Sequence, residues 1–418
     1  MHSYAINYHP YFPIVPANVL LPQYLHETIK HESFLLTAAL VVASRDRSDL
    51  AELHQSIWAH MRHLILDVVL GMSTIRSVGC VEVTYLSDRQ ISIRMGQAFW
   101  SRGPALSARF TAEDFPSLQP QYASGDDFAS LLQAQVELTT LFGNAHDILF
   151  ASKQRTAELM VRGDYTKYID DASRAIVAWD LVWTPLTAPS HLKCCLRMME
   201  KYLRLYVNAF AFQAVLYRAS LSGTDVARVS CFPHSAMASP DARMVYEAVD
   251  AAEALLRIAI EDIGPERHLR YMPARFYLYE IHSAVFLYKA HAAGAISSGK
   301  HAQTASLVRR FIGVLEIAAT DTDHIASKYA KLLNGLWFHK GGARGDTTRS
   351  RGSEERVQSD EVGNLNDFNQ VDGNDENHDD TGHLPSFDEI GLQPLDWIES
   401  VEGLFSMPAA FPWDQSIY

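Results

Sequence analysis

The chain has 418 residues, 48% of them hydrophobic, and a formal net charge of −13 from 49 acidic and 36 basic side chains. All of that charge sits in residues 341–418, where 17 acids face 4 arginines and no lysine, so the first 340 residues are balanced at 32 of each sign. A balanced body offers polyanions no general attraction, which argues against nucleic-acid binding by the bulk of the chain, and four cysteines (Cys80, Cys194, Cys195, Cys231) without a C-x-x-C pair write neither a disulfide framework nor a zinc knuckle.

The first seven residues lack the basic-then-apolar order of a secretion signal, so a reducing compartment is expected. Residues 8–22, with prolines at 10, 13, 16 and 22, read as an extended segment. Leu50, Leu53, Ile57, Met61, Leu64 and Val68 recur at three- and four-residue steps, the stripe of an amphipathic helix. Pro104, Pro116 and Pro120 mark residues 101–125 as a long surface loop. Leu132, Val136, Leu141, Ala145, Ile148 and Leu149 repeat the helical stripe. Residues 192–221 are apolar on most sides and predict a central helix.

Ser239-Pro240-Asp241 is a helix start, with a capping hydroxyl, a proline at the first helical position and an early acid for the dipole. That helix runs through Val245, Val249, Leu256 and Ala259 and stops at Gly264-Pro265. Further helical pattern covers 275–293 and 303–337. The most apolar window, 276–296, contains Glu280, His282, Lys289 and His291, so it reads as a buried helix and no membrane span is expected. No run alternates as a strand does, and no internal repeat is evident. The predicted fold is all-α: a multi-helix domain over 1–340, a disordered linker rich in Gly, Asn and Asp over 341–384, and an acidic–aromatic segment over 385–418.

In that last segment Phe387, Ile390, Leu392, Leu395, Trp397, Ile398, Leu404, Phe405, Phe411 and Trp413 alternate with Asp388, Glu389, Asp396, Glu399, Glu402 and Asp414. Acids keep bulky side chains solvated and apart, and the apolar groups dock in a partner's groove as the segment folds on it. Phe387, Trp397, Ile398, Phe405 and Trp413 are the expected partner-binding anchors. A merely solubilising tail has no use for two tryptophans; docking on the chain's own body is the other reading.

Catalytic and cofactor patterns are weak. Gly294-Ala-Ile-Ser-Ser-Gly299-Lys300-His301 nearly spells a phosphate-binding loop, but it ends in His301 instead of Ser or Thr and follows a helix, so a glycine-rich helix end is the plainer reading. His54, His60 and His63 share a predicted helix without a third ligand at metal spacing. Asp164, Asp170 and Asp171 lie near Lys167 and Arg174, as surface acids on a helix do. No nucleophile elbow or zinc-protease motif is present, so no catalytic, cofactor or metal residue is assigned and an enzyme is not expected.

Three segments resemble the regulatory region of fungal transcription factors of the binuclear zinc-cluster class. Tyr8-His-Pro-Tyr-Phe-Pro-Ile-Val-Pro16 is similar to the aromatic, proline-bearing motif that opens that region. Residues 34–45 are similar to the helix after it, and Asp88-Arg-Gln-Ile-Ser-Ile-Arg-Met-Gly-Gln97 to its later D-R-x-x-S-x-x-x-G segment. The resemblance implies an all-α regulatory domain in the nucleus, with coactivator proteins as partners and a homo- or heterodimer with related regulators. It implies zinc only in an N-terminal cluster, which has no counterpart here, so DNA is reached indirectly or through a further domain. Segments separated in relatives by a run of helices nearly touch between residues 77 and 87, which predicts that 74–100 is the least well packed part of the body. The rival readings are a helical scaffold or corepressor that associates with related regulators without binding DNA, and an all-α enzyme or ligand-binding protein with buried polar groups converging on a deep pocket.

Overall fold

A computed structural model of the chain describes residues 2–11, 21–31, 33–45, 47–69, 88–90, 125–222, 231–232, 239–322 and 324–338. The expected loop over 101–124, the linker 341–384 and the acidic–aromatic segment 385–418 lie outside them. Among the described residues every regular element is helical and none is a strand, as the periodicity predicts.

The core is built around α8 (Ser190–Leu221), the predicted central helix. At 32 residues it is roughly 48 Å long. From Tyr202 to Phe212 only Arg204 is not buried, because almost every position there is apolar and no face is left to water. Five helices pack on it: α5 (Phe128–Leu149), α6 (Lys153–Arg162), α7 (Thr166–Trp183), α9 (Ala242–Arg257) and α10 (Ala274–Ala292). The α5 helix starts where Asp127 accepts from the Ser130 backbone N–H at 2.9 Å, a side-chain cap for an otherwise orphaned donor. Its partner α7 is pinned to it by Trp179, whose indole N–H donates to the Ala134 carbonyl at 3.0 Å.

Residues at both ends of α6 mark its boundaries. Ser152 caps α6, and Gly163 ends it at φ 76°, a left-handed conformation that strains any residue with a Cβ. The α9 helix begins at Ala242, two residues after the expected start at Pro240, and stops where expected, passing into a π-turn over Ile258–Asp262 ahead of Gly264. The expected run over 303–337 is two helices, α11 (Ser298–Ala318) and α12 (Ile325–Phe338). It breaks after Ala318 near Thr320, Asp321 and Thr322, where a short polar side chain competes for a backbone partner: Asp321 accepts from the His324 N–H at 2.8 Å.

The N-terminal part holds α1 (His2–Asn7), α2 (Leu25–His31), α3 (Ser33–Ser44) and α4 (Ala51–Val69). Here the extended reading of residues 8–22 is corrected at both ends: His9–Tyr11 and Pro22–Tyr24 are 3₁₀ turns. The reason is docking. Three residues per turn bring Tyr8 and Tyr11 to one side; Tyr8 then meets Tyr271 edge-on at 5.3 Å, and the Tyr11 hydroxyl donates to the His268 carbonyl at 2.8 Å. Tyr4, Tyr8, Ala39 and Ala43 form a small satellite core beside the main one. No helix among the described residues is long and apolar enough to cross a membrane.

Candidate functional site

A group of buried polar side chains lies where α5, α8 and α10 meet, against the helical residues 88–90. Gln90 is 1% exposed. Its amide N–H donates to Thr139 Oγ1 on α5 at 2.9 Å, and its Oε1 accepts from the Tyr279 hydroxyl on α10 at 2.8 Å. One side chain thus ties two helices together with donor and acceptor both used. Of the region 74–100, expected to be the least well packed, only residues 88–90 are among the described residues; there the Gln90 amide has both its donor and its acceptor paired, as a buried amide requires.

Tyr279 stacks on Tyr202 of α8 at 4.3 Å and takes the edge of Phe276 at 5.5 Å. His282 meets the Tyr202 ring at 5.5 Å. Glu280, next along α10, is 0% exposed, and neither carboxyl oxygen has a hydrogen-bond partner among the described residues. Burial raises its carboxyl well above the ordinary range, which favours the uncharged acid, a form that can donate a hydrogen bond. Burial also pushes the Cys195 thiol up, against the pull of Arg275, which leaves it protonated and a poor nucleophile. At the far side of the group the His146 ring nitrogen Nδ1 sits 2.8 Å from the Tyr206 hydroxyl, and burial lowers the His146 pKa.

A second polar knot locks helix ends. The Tyr165 hydroxyl donates to Asp241 at 2.6 Å, while Arg218 donates to the other Asp241 oxygen and to the Met160 carbonyl at 2.7 Å. Burial, with the Asp241 carboxylate adding to it, pushes the Tyr165 hydroxyl up to about 12. Asp241, read from sequence as an acid serving the first turn of α9, makes no side-chain cap there; its carboxylate joins α7, α8 and α9 instead.

The weighed motifs fall as follows. The phosphate-loop-like stretch is the connection from α10 to α11, with Gly294 at φ 81° and Ala295 and Ile296 buried, which is the helix end that its glycines suggest. His54 Nδ1 lies 2.9 Å from Ser44 Oγ, while His60 and His63 are exposed, and among the described residues no three His, Cys, Asp or Glu side chains converge as a metal site would require. Asp171 pairs with Arg174, Asp170 with Arg243, and Asp164 is exposed. Phe387, Trp397, Ile398, Phe405 and Trp413, the anchors assigned from sequence, lie outside the described residues. The reading missed Gln90, Thr139, Tyr202 and Cys195; Glu280 was noticed, but as an argument against a membrane span.

No protein-family model matches this sequence, and neither the curated proteins nor the solved structures contain a match.

Proposed function

We propose that this chain is the regulatory and activating part of a fungal transcription regulator of the binuclear zinc-cluster type, acting in the nucleus without a zinc-cluster DNA-binding domain among these residues. The observation that carries the reading is the distribution of charge. A neutral helical body precedes a segment, 385–418, with six acids, no lysine or arginine, and apolar anchors at Phe387, Trp397, Ile398, Phe405 and Trp413. The helical body supports it too: two segments on which the family resemblance rests reach the core, through Tyr8 and Tyr11 at one end and Gln90 at the other. In this reading the segment folds on a coactivator surface, its rings entering the groove while the carboxylates steer encounter. The body senses or dimerises, and DNA is reached through another domain or a partner.

The test is a reporter assay in which residues 385–418 are fused to an unrelated DNA-binding domain. The native segment drives transcription; replacing Trp397 and Trp413 with alanine removes most of the output. Equal output from the two would overturn the anchor assignment, and silence from the native segment would overturn the reading.

One observation favours the scaffold reading. Val177, Leu181 and Val182 stand 46%, 74% and 65% exposed along the outer face of α7, an apolar row available to another helical protein. Concentration-dependent self-association abolished by Leu181→Asp, with a silent tail, is the result that would favour it.

A further inference from the structure

The α6 helix has one face built for the core and one built for something else. Leu159 and Met160 are 1% and 4% exposed and turn inward. Outward, Gln154, Ala157, Glu158, Val161 and Arg162 line a shallow depression of about 310 Å³. These positions fall at i, i+3, i+4, i+7 and i+8, one stripe of two helical turns, roughly 12 Å long. Its apolar floor is Ala157 and Val161, the latter 52% exposed. The helix is also cationic, with Lys153, Arg155 and Arg162 against Glu158. Arg155 reaches Glu158 at 3.5 Å, and Arg162 engages no partner among the described residues.

We infer that this stripe is the intramolecular docking site of residues 395–405, the tryptophan-bearing part of the acidic segment. In a helical register Trp397, Ile398, Val401, Leu404 and Phe405 fall at i, i+1, i+4, i+7 and i+8, the same two-turn length as the stripe on α6. Asp396, Glu399 and Glu402 fall on the opposite arc and its flanks, and the whole of 385–418 has no cation of its own to compete with those of α6. Charge complementarity therefore selects this face over the outer row of α7, which is flanked by Asp180 and offers only Lys167 and Arg174 against three acids.

Chain length permits the contact. Residues 339–394 separate the end of α12 from this segment, and with the linker behaviour expected from the sequence of 341–384 a stretch of that size has a root-mean-square span of roughly 40 Å. A 340-residue body has a radius of gyration of roughly 20 Å, comparable to that span, and the fully extended length of the linker, roughly 190 Å, exceeds any path over such a surface. The inference rests on reading 385–418 as an acidic segment with apolar anchors; the reporter assay tests that reading without the body and so fails or passes separately.

The experiment places the photo-crosslinking residue benzoylphenylalanine at Val161 of the full-length chain, with Val177 on α7 as the comparison site. Irradiation followed by peptide mass spectrometry maps the partner. The expected product is a link from position 161 to residues 395–405 at monomer mass, its yield unchanged by tenfold dilution, and at least fivefold above that from position 177. Charge reversal by Arg162→Glu lowers the yield about threefold, in line with the small worth of one exposed ion pair; Trp397→Ala with Ile398→Ala removes it without touching the body. Links that appear at dimer mass and fade on dilution assign the site to a second copy and overturn the inference, as do links confined to other segments, equal yields at 161 and 177, or no link to the tail.

Discussion

Replacing Glu280 with methionine is the most direct probe of the buried polar group between α8 and α10. The carboxyl is fully buried and without a hydrogen-bond partner among the described residues, so its desolvation is uncompensated, a cost of about 1–3 kcal/mol. Methionine fills a similar volume with a flexible apolar chain and removes that cost. The expected gain at pH 8 is therefore about 1–3 kcal/mol, read as a higher urea midpoint at unchanged m. Burial raises the folded-state pKa above that of the unfolded chain, so the stability this group contributes is complete below the unfolded pKa and is lost as pH rises through the folded pKa. The gap between the Glu280→Met variant and the native chain thus widens from pH 5 to pH 8. Glu280→Gln, which cannot ionise but keeps polar atoms in place, removes the pH-dependent part with a smaller gain. If Glu280→Met instead lowers stability at both pH values and the pH slope survives, the carboxyl is engaged and the argument from its isolation is wrong.

Arg218→Ala leaves the Asp241 carboxylate, itself 5% exposed, without its cation and costs about 3 kcal/mol, the low end for a buried pair because the guanidinium is about one-third exposed; Tyr165→Phe costs about 1 kcal/mol, and a double-mutant cycle between the two reads their coupling by urea denaturation. Trp179→Phe removes the bond to Ala134 and lowers stability by about 1–2 kcal/mol, with faster amide exchange along α7. His191 is held down to about 4 by burial, with His268 and Arg267 adding to it, so the stability that goes with its neutral form is present above pH 6.5 and is lost as pH falls towards 4. Unfolding midpoints therefore drop between pH 7 and pH 5, and His191→Gln flattens that drop; an unchanged slope removes His191 from the account.

The helices were legible wherever one face is apolar and its ends carry chemistry of their own. Residues 192–221 predicted α8 within two residues at its start, and Gly264-Pro265 marked the stop beyond α9, because a greasy stripe and a proline act locally. The break between α11 and α12 was missed for the opposite reason: two Thr-Asp pairs look like tolerable helix surface until one carboxylate takes the His324 N–H. Long-range partnerships were not legible at all. Nothing near Gln90 in sequence announces Thr139 or Tyr279, and Tyr8 and Tyr11 look like members of a proline-rich extended strap until their landing places at Tyr271 and His268 are known. Asp241 shows the limit of local reading within one residue, since its position predicts an early acid serving the helix dipole and its burial beside Arg218 assigns its carboxylate elsewhere.

Gln90 also decides how the chain closes on itself. Between Val69 and Phe128 the polypeptide returns to the core at residues 88–90, so the stretch closes as two shorter circuits rather than one long one. Each circuit's closure entropy grows only with the logarithm of its length, about 0.6 kcal/mol per doubling. Loss of the Gln90 bonds to Thr139 and Tyr279 would merge the two circuits into one, so a single amide sets how the chain between Val69 and Phe128 is tethered.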